Sequence, residues 1–233
     1  MSESITIQAH DGGSFSAYVA RPQGAGPFPA VVVIQEIFGV NAVMRGICDD
    51  LAKEGFIAIC PDLFWRQEPG IQITDRSEEE WKRAFELFNG FDVDLGVEDL
   101  KSTLAAARVL EGANGKAGSI GYCLGGKLAY LMATRSDSDA NVSYYGVGLD
   151  ALLGEAPAIS KPILLHIAEQ DKFVPPDAQK KILDALLNKE NITLHVYQGV
   201  DHAFARKGGD HYDGAMAETA NDRTRRHLKT HLG

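Results

Sequence analysis

The run AVVVIQ, residues 30–35, is apolar at nearly every position. A strand with one wet face alternates polar and apolar side chains, whereas a strand covered on both faces does not. Similar short runs recur at FIAIC, AGSIGY, NVSYYG, PILLHIA and ITLHVYQ. Between them lie segments of helical periodicity, at 41–54, 77–88, 93–111, 124–134, 177–187 and 215–232. Buried strands alternating with amphipathic helices predict an α/β fold, with a mostly parallel central sheet of about eight strands and helices on both faces. Ahead of them, SITIQA and SFSAYVA alternate around Asp11-Gly12-Gly13, which predicts an opening β-hairpin. A chain of 233 residues with no linker-like stretch is expected to fold as one domain, 1–233. In such sheets ligands bind beyond the carboxyl ends of the strands, so chemistry-bearing motifs are expected just after strands.

Charge narrows the partners. A net charge of −9 argues against nucleic acid, which needs a basic face. It leaves room for a small anionic ligand, since one or two arginines can dominate a pocket. No run of roughly 18 apolar residues is present, so no membrane span is expected. The N-terminal MSESITIQAHDGG has no basic or apolar signal region. Cys48, Cys60 and Cys123 are odd in number, far apart and free of C-x-x-C spacing. Reduced thiols, a cytoplasmic location and a monomer are the expectation.

The segment AGSIGY-C-LGGKLAYLMA reads as strand, tight turn, helix. Gly121 and Gly125 bracket Cys123 at i−2 and i+2, where a side chain would clash as strand and helix converge. That is the mechanical requirement of a nucleophile elbow, with cysteine where G-x-S-x-G has serine. Gly126 allows the new helix to pack closely. A thiol there sits at a helix N-terminus, whose partial positive charge favours the thiolate. The peptide N–H of Leu124 would face a developing oxyanion. A buried, inert cysteine in a glycine-rich turn is the bland alternative. Cys48, in a helix, and Cys60, at a strand end, lack glycine brackets and read as core thiols.

A nucleophile of this kind is followed along the chain by an acid and then a base. PILLHIA leads into AEQDKFVPP, which offers Asp171, and ITLHVYQ leads into GVDHAFAR, which offers His202. The other histidines have other addresses: His166 and His195 in strands, His227 and His231 in the last helix, His10 in the hairpin and His211 near a loop. Asp201 competes for the acid role, but adjacent side chains do not easily orient each other's ring. A Cys123–His202–Asp171 triad is therefore expected, with His202 as base and Asp171 fixing its tautomer.

With these pieces in place, the chain resembles the dienelactone hydrolase (carboxymethylenebutenolidase) family, of α/β-hydrolase fold, nearly end to end. The resemblance rests on QEIFGVNA, CPDL, GYCLGG, YYGVGL, QDKFVP and HAFAR, in that order. It implies that Glu36 holds the resting thiol and that the Ile37 N–H is the second oxyanion donor, typically worth about 3–4 kcal/mol of barrier. It implies a carboxylated substrate held by Arg206. The family's second arginine falls at Trp81, and Arg83, two positions on along a helix, would face elsewhere. Trp81, Phe85 and Phe38, with Tyr144 and Phe173, are expected to line a more apolar pocket. Aromatics at helical spacing can equally be core.

A thiolate leaves a tetrahedral intermediate more readily than an ordinary alkoxide, so simple alkyl esters mostly revert. An enol leaving group shifts that partition forward. The expected reaction is opening of an enol lactone, dienelactone to maleylacetate, in aromatic-compound breakdown. A broader cysteine-dependent esterase or thioesterase is the alternative; a redox-sensing thiol or a non-catalytic binder is the reading from a different class. The expected partner is a small anionic lactone or activated ester. No metal and no organic cofactor are expected.

Overall fold

A computed structural model describes residues 2–233. In chain order it runs β1 (Ser2–Gln8), β2 (Ser14–Ala20), β3 (Phe28–Ile34), α1 (Ala42–Lys53), β4 (Ile57–Pro61), α2 (Glu78–Asn89) and α3 (Val93–Arg108). It continues through β5 (Ala113–Tyr122), α4 (Leu124–Arg135), β6 (Asn141–Tyr144), β7 (Ile163–Ala168), α5 (Pro176–Leu186), β8 (Ile192–Tyr197) and α6 (Gly214–Leu232). The eight strands are ordered β1-β2-β4-β3-β5-β6-β7-β8. β1–β2 and β2–β4 pair antiparallel; β3–β4, β5–β6, β6–β7 and β7–β8 run parallel. This is the sheet that the uninterrupted apolar runs predict. By contact the described residues divide into two compact units, 2–118 with Leu232, and Ser119–His231 with Gly233.

In the first unit the hairpin closes through Ala9 N–H to the Gly13 carbonyl at 2.8 Å. Gly12 takes φ 92°, a conformation that costs little without a Cβ. β3 and β4 are buried almost throughout, and α1 and α3 pack against them. Asn41 starts α1 by accepting from Val43 and Met44, and Ser77 starts α2 by accepting from Glu80. One buried carboxylate ties distant pieces together: Asp99 on α3 accepts from Trp65 Nε1 at 2.8 Å and from Arg66 Nη2 at 2.8 Å. Arg66 reaches on to Asp11 of the hairpin. Helix α3 ends at Arg108, short of the expected 111, and Val109 is 83% exposed. An apolar residue at helical spacing extended the pattern without extending the helix.

The second unit is built on α4, α5 and α6 around the parallel strands β6, β7 and β8. Its core gathers Tyr130, Leu149, Ile163, Leu165, Ile182 and Leu186 among others. Each such side chain contributes about 1.5–3 kcal/mol when fully buried. Two short 3-10 turns, Leu149–Ala151 and Leu153–Ala158, cover this core and have no counterpart in the periodicity. A polar seam holds α6: the Tyr144 hydroxyl meets Asn221 Oδ1 at 2.9 Å and Thr224 Oγ1 at 2.7 Å. His166 bridges Thr224 at 2.9 Å and the Tyr197 hydroxyl at 2.8 Å. Burial holds the His166 imidazole well below the usual histidine range, so it is neutral in the fold.

Candidate active site

Strand β5 delivers Cys123 directly to the start of α4. Cys123 has φ 57° and ψ −114°, a conformation that L-residues rarely adopt and that costs on the order of 1–3 kcal/mol. The turn is pinned on both sides: Cys123 N–H donates to the Tyr144 carbonyl at 3.1 Å, and Lys127 N–H donates to the Cys123 carbonyl at 3.1 Å. The glycines are obligatory for contact reasons. A Cβ on Gly121 would stand 1.9 Å from the Gly125 carbonyl oxygen, and one on Gly126 would stand 2.5 Å from the Tyr144 carbonyl oxygen. Leu124 is the first residue of α4, so its N–H has no acceptor within the helix.

The loops after β7 and β8 carry the acid and the histidine that the sequence pairs with Cys123. Asp171 Oδ2 lies 2.8 Å from His202 Nδ1, and both side chains are buried. Asp171 Oδ1 accepts from the N–H groups of Phe173 at 2.8 Å and Val174 at 3.2 Å. The carboxylate is thus held on one oxygen while the other orients the imidazole. It does not cap α5, whose N-cap is Pro175. Asp201 does not take the acid role, since its carboxylate faces the backbone N–H of His202 at 2.7 Å.

Burial alone would lower the His202 pKa, but its electrostatic interaction with Cys123 and its hydrogen bond to Asp171 outweigh it and carry it up to about 10. Nε2 is buried with no partner of hydrogen-bond geometry among the described residues. The sign follows: a raised histidine pKa contributes stability below the unfolded value of about 6.5, lost as pH rises through about 10. We therefore expect an NMR titration of the wild-type ring to stay in the charged form well above pH 7.5. In Cys123→Ser, which has no thiolate to face, His202 should titrate lower. A neutral wild-type His202 at pH 7.5 would contradict this electrostatic account.

The imidazole is framed by two aromatic rings, both edge-on: Phe173 at 4.8 Å and Tyr145 at 5.0 Å between centroids. Phe173 is 51% exposed, as suits a residue facing a bound molecule. Tyr144 is corrected. Expected to line the pocket, it is wholly buried, stacked on Tyr122 at 4.7 Å, with its hydroxyl engaged by α6. The tyrosine beside the catalytic ring is Tyr145, at φ 38°, which sequence reasoning missed. The signal was the YYG triplet at a strand end, where the chain turns and the second tyrosine changes face. Arg206 lies four residues beyond His202 on the same loop and is 8% exposed.

In the first unit, Glu36 and Ile37 follow β3 directly, and both are buried, Glu36 at 3% exposure. Glu36 is therefore not a surface carboxylate. Gln35 braces this turn by accepting from Leu63 N–H at 3.1 Å. Phe38 packs edge-on against Trp81 at 5.1 Å, and Trp81 stacks on Phe85 at 5.6 Å. Trp81 donates through Nε1 to the Asp75 carbonyl at 2.9 Å. The stack is graded from a buried Phe38 to a Phe85 that is 40% exposed, so it is only partly core. Arg83 is turned to Glu68 and Glu86. Among the described residues no group of three or more His, Cys, Asp or Glu side chains could hold a metal ion. No described helix is long and apolar enough to cross a membrane.

An eight-stranded, mostly parallel sheet with a thiol at the strand–helix turn and an Asp–His pair on later loops has the layout of an α/β-hydrolase. Comparison with known proteins agrees. The dienelactone hydrolase family is matched over residues 15–232, and the chain belongs to that family, a family of ester-bond hydrolases. A provisionally named carboxymethylenebutenolidase of Azospirillum brasilense is 57% identical, covering 98% of this chain and 99% of that protein. The carboxymethylenebutenolidase of Pseudomonas putida is 40% identical, covering 96% and 94%. Among solved structures, a provisionally named dienelactone hydrolase of Klebsiella pneumoniae superposes with TM-score 0.87 at 27% identity, covering 98% of each chain.

Proposed function

We propose that this chain opens an enol lactone of the dienelactone type by covalent catalysis at Cys123. The observation that carries the reading is the pairing, within one compact unit, of a thiol on a strained glycine-bracketed turn with an imidazole locked by Asp171. In the proposed cycle the Cys123 sulfur attacks the lactone carbonyl, and the oxyanion is met by the Leu124 N–H. The C–O bond to the ring oxygen then breaks, the enol oxygen takes its proton from His202, and a thioester remains. The released enol tautomerises to the ketone, as in maleylacetate. Water, deprotonated by His202, attacks the thioester and frees the acid and the thiol. The roles that family resemblance gives to Glu36 and the Ile37 N–H belong to the same proposal, as does a single functional domain over 1–233.

Arg206 is proposed to hold the substrate's carboxylate. Hydrolysis of cis- and trans-dienelactone should be measured beside neutral nitrophenyl esters, in wild type and Arg206→Ala. We expect kcat/KM of the variant to fall by about 30-fold or more on the anionic lactones, the cost of truncating one partner of a buried charge pair, and to change little on neutral esters. Absence of lactone opening by the pure wild-type protein would overturn the substrate assignment. The Trp81–Phe85 stack favours a second reading, a broader esterase with an apolar wall in place of a cation. That reading requires neutral aromatic esters to outrank dienelactone in kcat/KM.

A further inference from the structure

We infer that Asp201, the residue before the catalytic histidine, is a positioning residue that sets the reach between His202 and Asp171. One oxygen of its carboxylate touches the backbone beside both triad partners. Oδ1 accepts from the N–H of His202 at 2.7 Å and from the N–H of Lys172, the residue after Asp171, at 3.3 Å. The two loops thus share a single acceptor, next to the 2.8 Å bond between the Asp171 and His202 side chains. A second strut, Gln170 N–H to the Val200 carbonyl at 2.9 Å, joins the residues just before Asp171 and Asp201.

The far side of the His202 peptide is held too. His211 Nδ1 lies 3.1 Å from the His202 carbonyl oxygen, and its Nε2 lies 3.9 Å from Asp201 Oδ2. Asp201 and His211 therefore grip the two ends of one residue. The grip has a load to carry, because Ala203, immediately after His202, sits at φ 62°. A backbone strained at that point relaxes unless its neighbours are fixed. Lys172 Nζ also approaches Asp201 Oδ2 at 3.0 Å, but that side chain is 78% exposed, so the pair contributes little. The positioning force lies in the two backbone N–H bonds to Oδ1.

The inference rests on the triad chemistry proposed above. Five proteins separate the two: wild type, Asp201→Ala, Asp201→Asn, Lys172→Ala and Cys123→Ala, with nitrophenyl acetate as probe. Asp201→Ala should lose roughly 10- to 100-fold in kcat with KM within twofold, since a misplacement of about 1 Å can cost 10²-fold. Asp201→Asn keeps an oxygen acceptor and should recover to within about threefold of wild type. Lys172→Ala should match wild type within twofold. Independently of turnover, the downfield NMR signal of the His202 Nδ1 proton should broaden or vanish in Asp201→Ala alone. A kcat for Asp201→Ala within twofold of wild type, or a loss that Asp201→Asn does not rescue, overturns the positioning role. Wild-type inactivity, or full activity in Cys123→Ala, overturns the triad reading instead, and the proton signal then still decides whether Asp201 holds the ring.

Discussion

Cys123→Ala should abolish ester hydrolysis, with kcat down by about 10⁶, the scale of deleting the nucleophile of a three-residue triad. The fold should survive, because alanine keeps the Cβ and the substitution leaves the pinned turn intact. Thermal melting and circular dichroism check that point, and mass spectrometry checks that no acyl adduct forms on the variant. Cys123→Ser is the more informative partner. A serine hydroxyl needs a base to remove its proton, and the environment that raises the His202 pKa to about 10 includes the thiolate that serine lacks. The serine variant must therefore recover a neutral His202 to act at all. Without an effective base it forgoes roughly 10²–10⁴-fold. Activity in Cys123→Ala within tenfold of wild type would remove the cysteine from the mechanism.

In the proposed mechanism the thiol would also shape what the enzyme accepts. Once the tetrahedral intermediate forms, the better leaving group departs. An enolate competes with a thiolate; an ordinary alkoxide does not. Selectivity by leaving group thus needs no contact with the substrate beyond the reacting atoms. The contacts proposed for Arg206, or for the Trp81 stack, would act on top of it.

Much of the architecture could be read from the chain because each signal had one physical source. Doubly covered strands lose their alternation, and the elbow glycines are dictated by atoms 1.9–2.5 Å away from where a Cβ would stand. His202 was reached by elimination, since His166 and His195 sit in strands, His227 and His231 in α6, and His10 and His211 in other turns and loops. What could not be read was facing. Tyr144 and Tyr145 are chemically identical neighbours, and only the turn after β6 sends one under α6 and the other to the catalytic ring. Asp171 and Asp201 were separable in advance, since neighbouring side chains do not easily orient each other's ring, and the hydrogen bonds place Asp171 on the imidazole and Asp201 on the backbone. Long-range partners such as Asp99 with Trp65 and Arg66 leave no periodic trace at all.

The second large effect concerns two glycines that look alike in the sequence. Gly121→Ala puts a methyl group 1.9 Å from the Gly125 carbonyl oxygen and 2.3 Å from its carbon. Both contacts are backbone, so no side chain can swing aside. The strand must separate from the helix that it feeds, and the Cys123 turn, already strained, loses its anchor. We expect destabilisation above about 4 kcal/mol, the range reserved for overpacked or strained backbone, and an insoluble or unfolded product. Gly46 in α1 meets nothing within 4 Å. Gly46→Ala removes the flexibility that glycine adds to the unfolded chain and should stabilise by about 0.4–1 kcal/mol. Thermal melts of the two variants should therefore move in opposite directions from wild type. A Gly121→Ala protein that folds with an unchanged melting temperature would show that the elbow is looser than its contacts require, and the strained presentation of the thiol would lose its physical basis.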